Sequence, residues 1–367
     1  MPQAPVDDNG TVLSFQDSGA PTGASNYVTL VLVHGTVAHG AVFLPMFSFA
    51  AQYNIRLIAL NLRNYPGSTP YSPGELAVIH GSDRRSQALF IRDRGLEIAA
   101  FLEWFLRGEH IPPISRAPGG AVEGGIVLLG WSFGNSMTLS FLANASDLTP
   151  TRQNLLGVYL RHVIIYDPVS YAIGIPPPPL QVLYDPTIDP SIPPDHLGHR
   201  FAAYVFGYYR HKQDILSSLA SCTLEGICAG IVHHPEMDPK STLARIPAEE
   251  LATILDVDNA THVHIPMLNL DGGTHAENTR KALLETDVWP HVHATLIWCD
   301  MSVGQTVLAA GELHRALQLA SSTGSRVVKT IRLEGANHFP HWDQPGHTMR
   351  ILASVVNQKL GEHVSKL

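Results

Sequence analysis

The chain has 367 residues, 45% of them hydrophobic and 15% charged, so it is long enough to bury a large core. A formal net charge of -8 and the lack of a basic run exclude a nucleic-acid-binding protein from our expectations. No apolar run reaches the length of a membrane span, and the polar first residues lack the apolar stretch of a signal peptide.

The predicted elements of the first half alternate between strands and helices. We expect strands at 11–15, 27–33, 56–60, 125–129 and 161–166, with an amphipathic helix at 93–105. The run 27–33 is continuous and rich in β-branched residues, which is typical of a strand buried on both faces. Strands that alternate with helices predict an α/β fold with a doubly wound, mostly parallel sheet.

The pattern changes after residue 169. Four consecutive prolines at 176–179 indicate a stiff exit from the sheet, and helices and loops without βα alternation follow. The aromatic spacing between Phe201 and Leu219 predicts one helix with a wide apolar face. We therefore expect a first core part at 1–169 and an inserted, mainly helical lid at 170–290.

Sheet-forming segments resume in the last part of the chain, at 291–367. Strands are expected at 293–298 and 327–333, with a helix at about 312–320 between them. A C-terminal helix is expected at about 347–362. This part completes the sheet as the second half of the core.

The pentapeptide Gly130-Trp131-Ser132-Phe133-Gly134 stands between a predicted strand and a helix-compatible stretch. This arrangement predicts a nucleophile elbow, a sharp turn that raises a serine hydroxyl above the sheet edge. Small residues around the serine let the strand and the helix pass close to each other. Ser132 is therefore the candidate nucleophile.

Three further motifs accompany the elbow in chain order. They are His34-Gly35 after a buried strand, Asn61-x-Arg63-x-x-x-Gly67-Ser68 after the next strand, and Gly335-Ala336-Asn337-His338-Phe339-Pro340 after the last one. With these motifs the chain resembles the α/β-hydrolase family over nearly its whole length. Within that family it is most similar to fungal peroxisomal hydrolases of secondary metabolism, of the toxin-biosynthesis and acyl-CoA-hydrolase type.

The resemblance implies a base and an acid for Ser132. His338 matches the family's histidine, whereas His341 is a local rival. In many members the acid follows the strand that ends here at Trp298, yet Ser302 stands at that spacing and Asp300 comes two residues early. Other members carry the acid after the preceding strand, where Asp167 stands. We expect Asp167 as the acid, with Asp300 as the alternative.

The resemblance also implies an oxyanion hole made of backbone N–H groups. Phe133, next to the nucleophile, and Thr36, in the loop after His34-Gly35, are the expected donors, with Val37 as second choice. Aromatic residues of the lid are candidates for the substrate pocket, although they could equally form the lid's own core; they are Phe201, Tyr204 and Tyr208.

No cofactor and no metal are expected. The histidines at 233–234 and the pair His262 and His264 lack a further ligand at a suitable spacing, so solvated loop histidines are the preferred interpretation. Three cysteines without a Cys-x-x-Cys pair indicate a reducing compartment and no disulfide framework. The last residues Ser365, Lys366 and Leu367 match the peroxisomal address, so we expect the peroxisomal import receptor as a partner.

These observations lead to three hypotheses about function. The first is a serine hydrolase that cleaves an ester or a thioester, such as an acyl-CoA, of a small apolar metabolite in peroxisomal secondary metabolism. The second is a hydrolase that opens a lactone or breaks a carbon–carbon bond with the same triad. The third is a non-catalytic ligand-binding member of the fold.

Overall fold

The computed structural model describes residues 1–117, 121–217, 219, 222–320 and 325–357. Within them the strands are β1 (Gln3–Pro5), β2 (Val12–Asp17), β3 (Val28–Val33), β4 (Ile55–Leu60), β5 (Ser115–Arg116), β6 (Val122–Glu123), β7 (Ile126–Trp131), β8 (Leu160–Tyr166), β9 (His293–Cys299) and β10 (Val328–Leu333).

Eight of these strands form one sheet in the order β1-β2-β4-β3-β7-β8-β9-β10. β1 pairs with β2 and β2 with β4 in antiparallel fashion, and all further neighbours in this sheet are parallel. Every residue of β3, β4 and β7 is buried, as expected of apolar strands in the middle of a parallel sheet. The predicted α/β fold with a mostly parallel sheet is confirmed.

The α-helices of the first part are α1 (Phe47–Ala50), α2 (Pro73–Ile79), α3 (Arg84–Gly108), α4 (Gly134–Ala143) and α5 (Pro150–Tyr159). Between β8 and β9 lie α6 (Leu197–Val205), α7 (Gln213–Ser217), α8 (Leu224–Gly230), α9 (Thr242–Arg245), α10 (Ala248–Leu251), α11 (Val257–Asn259), α12 (Ile265–Leu268) and α13 (Gly272–Leu284). The last helices are α14 (Gly304–Leu319), α15 (Pro340–Asp343) and α16 (Pro345–Val356).

The segment between β8 and β9 differs in detail from the expectation. The single helix predicted for 201–219 was wrong, because α6 ends at Val205. Beyond it the Tyr209 N–H donates to the Met301 carbonyl (2.8 Å), and the Glu236 N–H donates to the Tyr208 carbonyl (2.7 Å). Bonds to distant loops thus replace the helical ones. α13, inside the range predicted as lid, packs against α4 of the core, and the lid boundaries stay a prediction.

Helix lengths also differ from the expectations. α3 and α14 both begin earlier than predicted, and of the expected C-terminal helix the structure describes α16, which ends at Val356. Ser365, Lys366 and Leu367 lie outside the described residues. Among the helices that the structure describes, none has the length and apolar character needed to cross a membrane.

Candidate active site

Ser132 occupies a strained turn between β7 and α4. Its φ of +55° lies in the left-handed region, which typically costs a non-glycine residue about 1–3 kcal/mol. The Ser132 N–H donates to the Tyr166 carbonyl at 3.0 Å, so the end of the neighbouring strand β8 supports the turn. A Cβ on Gly134 would lie 2.5 Å from the carbonyl oxygen of His34, which explains why α4 must begin with glycine.

Asp167 follows β8 directly and meets the ring of His338. The distance between Asp167 Oδ2 and His338 Nδ1 is 2.6 Å, and both side chains are buried. The Cys299 N–H donates to Oδ1 at 2.9 Å and the Ser302 hydroxyl to Oδ2 at 2.7 Å. Because an ionised carboxylate only accepts hydrogen bonds, Nδ1 carries the proton of a neutral ring and Nε2 is the basic nitrogen.

Asp300 has other partners. Its Oδ2 accepts from Nη2 of Arg332 at 2.7 Å and from Nε at 2.9 Å, and its Oδ1 accepts from the N–H of Gly335 at 2.8 Å. These contacts attach Asp300 to the end of β10 and to the start of the loop that carries His338. The pKa of Asp300 is raised, chiefly by burial. Ser302 reaches His338 instead, with its Oγ 3.4 Å from Nδ1.

The position of His338 relative to Ser132 depends on Trp131. The two rings lie 4.9 Å apart, and Trp131 Nε1 donates to the His338 carbonyl at 3.0 Å. These two described residues, Ser132 and His338, share no side-chain hydrogen bond in the structure. In unliganded enzymes such a bond is often long and tightens when substrate binds.

His341, the rival base, lies elsewhere. Its ring is fully buried against Trp131 and Phe43, with centroid distances of 4.6 and 4.9 Å. Neither of its ring nitrogens has a hydrogen-bond partner among the described residues, and burial lowers its pKa well below the usual value. A histidine in this apolar setting stays neutral, without a carboxylate to orient it.

The loop after β3 lies against the nucleophile. A Cβ on Gly35 would come within 2.6 Å of the Ser132 Cβ, so only glycine fits there. His34 holds this loop, because its Nδ1 lies 2.8 Å from the Gly35 carbonyl and its Nε2 accepts from the Leu62 N–H at 3.0 Å. Thr36 and Ser132 line the same narrow pocket. Phe133 immediately precedes α4, and the first N–H groups of a helix have no partner inside it.

A narrow cavity lies beside Ser132. Thr36, Phe201 and Tyr204 line it, and the roles expected for them stay predictions. Tyr208 does not line it; its hydroxyl donates to Asp343 at 2.6 Å, far along the chain from the nucleophile.

Two polar side chains of this cavity escaped the sequence analysis. Asp185 and Gln305 both line it, and each is almost fully buried. Gln305 Nε2 donates to Asp185 Oδ2 at 3.0 Å. The only sequence signal was the Asp-Pro-Thr turn at 185–187, which by itself indicates a turn and not a pocket.

The paired histidines do not assemble into a ligand set. His264 is fully buried, with its ring 4.5 Å from that of Tyr65, so the expectation of a solvated loop histidine was wrong for this residue. Burial lowers the pKa of His264 to about 4. Over the residues that the structure describes, no three His, Cys, Asp or Glu side chains stand together in a way that could hold a metal ion.

Comparisons with known proteins agree with the fold. A bromoperoxidase from Bacillus anthracis is 12% identical with a TM-score of 0.55, and the match covers 97% of this chain and 99% of that one. An esterase from Exiguobacterium antarcticum is 13% identical with a TM-score of 0.52, covering 96% of this chain and 97% of that one. A mutant of the N-acyl homoserine lactonase AidH complexed with N-hexanoyl homoserine lactone is 13% identical with a TM-score of 0.50, covering 97% of each chain.

These identities are low, so the three likenesses speak for the fold alone. No curated protein matches the sequence. A family match, by contrast, extends over residues 30–349, from the middle of β3 into α16. It therefore includes the elbow, both strand ends that carry the carboxylates and the histidine loop, and the chain belongs to the alpha/beta hydrolase family.

Proposed function

We propose that the protein is a serine hydrolase that cleaves an ester or a thioester of a small apolar metabolite through an acyl-serine intermediate. The observation that carries this proposal is the 2.6 Å contact of Asp167 with His338, beside a serine in a left-handed turn. Membership of the alpha/beta hydrolase family supports a hydrolase. The mostly apolar walls of the cavity at Ser132 favour an apolar substrate.

In the proposed reaction, Nε2 of His338 removes the proton from Ser132 Oγ as the oxygen attacks the carbonyl carbon. Asp167 keeps the other ring nitrogen protonated and stabilises the imidazolium. The backbone N–H groups of Phe133 and Thr36 receive the developing oxyanion, and one such donor typically contributes about 10²–10³ in rate. The leaving group takes the proton from His338, which then activates a water molecule to release the acyl group.

The first experiment is labelling with a fluorophosphonate, which reacts with activated serines. We expect the purified protein to be labelled at Ser132 and the Ser132→Ala variant to be unlabelled and inactive. Ser136→Ala is the matched control, because Ser136 lies on the next turn and its hydroxyl contacts His275 (3.0 Å) instead of His338. A folded protein that binds ligands but neither labels nor hydrolyses any ester would favour the non-catalytic alternative.

The leaving group is part of the proposal. A thioester such as an acyl-CoA is supported by the C-terminal Ser365-Lys366-Leu367, because peroxisomes handle acyl chains as CoA adducts. Rates on matched acyl-CoA, oxygen-ester and lactone substrates separate the thioesterase from the esterase and from lactone opening, and product analysis on a β-diketone tests carbon–carbon cleavage. A fluorescent fusion with and without the last three residues tests import into the peroxisome.

A further inference from the structure

Two neighbouring aspartates begin the same local structure in different surroundings. Asp185 Oδ1 accepts from the N–H (2.8 Å) and the hydroxyl (2.7 Å) of Thr187, and Asp189 Oδ1 accepts from the N–H (2.9 Å) and the hydroxyl (2.7 Å) of Ser191. Asp189 makes its turn at the surface, whereas Asp185 is only 1% exposed. The turn itself therefore does not require a buried carboxylate, and the burial of Asp185 needs another explanation.

That explanation lies in the cavity, which Asp185 lines together with Ser132. Its second oxygen, Oδ2, accepts from Gln305 Nε2 at 3.0 Å. The amide of Gln305 is held in this orientation because its Oε1 accepts from the Ser170 hydroxyl at 2.5 Å. A carboxylate can accept about four hydrogen bonds, and Asp185 receives three, two on Oδ1 and one on Oδ2. Among the described residues no fourth donor reaches Asp185, so one acceptor position on Oδ2 remains.

A donor from the substrate would stabilise this arrangement. Burial raises the pKa of Asp185, and in the described part of the chain no ion pair joins it to a cation. The neighbouring hydroxyl of Tyr204 does not serve, because it donates to the Tyr184 carbonyl at 3.0 Å. A buried polar group without its full set of partners is costly, so the unliganded protein has an acceptor in a mostly apolar cavity that a bound molecule can satisfy.

We propose that Asp185, positioned by Gln305, determines specificity by binding a hydroxyl group of the substrate away from the bond that is cleaved. The inference rests on the proposed function and narrows it to hydroxylated acyl esters or thioesters. A hydroxyl brings one donor for the one remaining position. An ammonium group would bring three, and the apolar side chains of Phe201 and Val169 offer its other N–H groups no acceptor.

The test compares p-nitrophenyl octanoate with octanoates that carry a hydroxyl at successive carbons and with amino-substituted counterparts. For the wild type we expect one hydroxylated ester to exceed the plain ester in kcat/KM by about 10- to 100-fold, as for a hydrogen bond to a charged group. Asp185→Asn keeps an oxygen for the Thr187 turn but replaces the charged Oδ2 acceptor by an amide N–H₂. It should lower this preference about tenfold, because the substrate hydroxyl loses its charged acceptor.

Asp189→Asn is the matched control and should keep the preference, because it alters the same kind of turn outside the cavity. If Asp185→Asn does not fold, Gln305→Leu replaces it and should lower the preference several-fold by releasing the carboxylate. The ratio of kcat/KM between the hydroxylated and the plain esters, measured on the wild type, tests the inference without any variant. The inference about Asp185 is overturned, and the proposed function is not, by any of three results: turnover without any preference, a preference for the amino esters, or a preference that survives both substitutions. Absence of both turnover and Ser132 labelling overturns the proposed function with it.

Discussion

Replacing Asp167 by Asn tests the proposed triad at its acid. Three donors converge on this carboxylate, from the backbone of Cys299, the hydroxyl of Ser302 and Nδ1 of His338. An amide has one accepting atom and one donating atom, so at least one of the three donors would face an N–H group. Where the N–H₂ group faces Nδ1, His338 favours the wrong tautomer. In serine proteases the same change lowers kcat by about 10⁴, or about 5 kcal/mol of transition-state stabilisation.

Asp300→Asn is the matched control, because Asp300 is also a buried aspartate at the end of a strand. Its amide oxygen can still accept from the Gly335 N–H, while the ion pair with Arg332 is lost. That pair is partly exposed, so we expect a loss of about 1–2 kcal/mol in the free energy of unfolding, between the values for surface and buried pairs. kcat should stay within tenfold of the wild type.

The assay measures kcat and KM with p-nitrophenyl butyrate and the rate of fluorophosphonate labelling, with urea unfolding as the check on stability. Asp167→Asn should lose activity by orders of magnitude while it remains folded. The opposite order, with an inactive Asp300→Asn and a nearly normal Asp167→Asn, would refute the assignment of the acid and the reasoning from the 2.6 Å contact.

Two further predictions concern pH and the loop after β3. Burial lowers the pKa of three histidines to about 3 or 4, namely His162, His264 and His275. Between pH 6.5 and 4 only the unfolded chain binds protons at these histidines, so lowering the pH destabilises the folded protein. Each histidine should lower the free energy of unfolding by about 1.4 kcal/mol between pH 7.5 and pH 5.5, as measured by urea unfolding. Equal stability at the two pH values would contradict this. Gly35→Ala would press on Ser132 and should slow labelling at least 100-fold, whereas Gly108→Ala, where the new Cβ has open space, should not.

The fold could be predicted from the sequence where local pattern and tertiary environment agree. The run that forms β3 is apolar and rich in β-branched residues, which predicts a strand buried on both faces in a parallel sheet, and every residue of β3 is buried there. The stretch 201–219 shows the opposite case. Its apolar spacing suits a helix, yet the backbone of Tyr209 bonds to Met301, almost a hundred residues away, and such contacts leave no local trace in the sequence.

The site divides in a similar way. Ser132 and His338 stand in motifs with a fixed spacing, so both could be proposed as candidates from the sequence. The choice between Asp167 and Asp300 depends on the path of the histidine loop, which the contact of Asp300 with Arg332 helps to set. Asp185 could not be foreseen, because its cavity partner lies 120 residues further along the chain.

The loop after β9 has a consequence for how the inserted segment and the reaction are linked. Met301 and Ser302 each use a backbone carbonyl to hold this segment, accepting from the Tyr209 N–H and from His211 Nε2 at 2.8 Å. The hydroxyl of the same Ser302 donates to Asp167. Substitutions that displace the inserted segment would therefore also tilt the imidazole of His338, so that changes in substrate preference and in turnover are expected to arise together during the divergence of such enzymes.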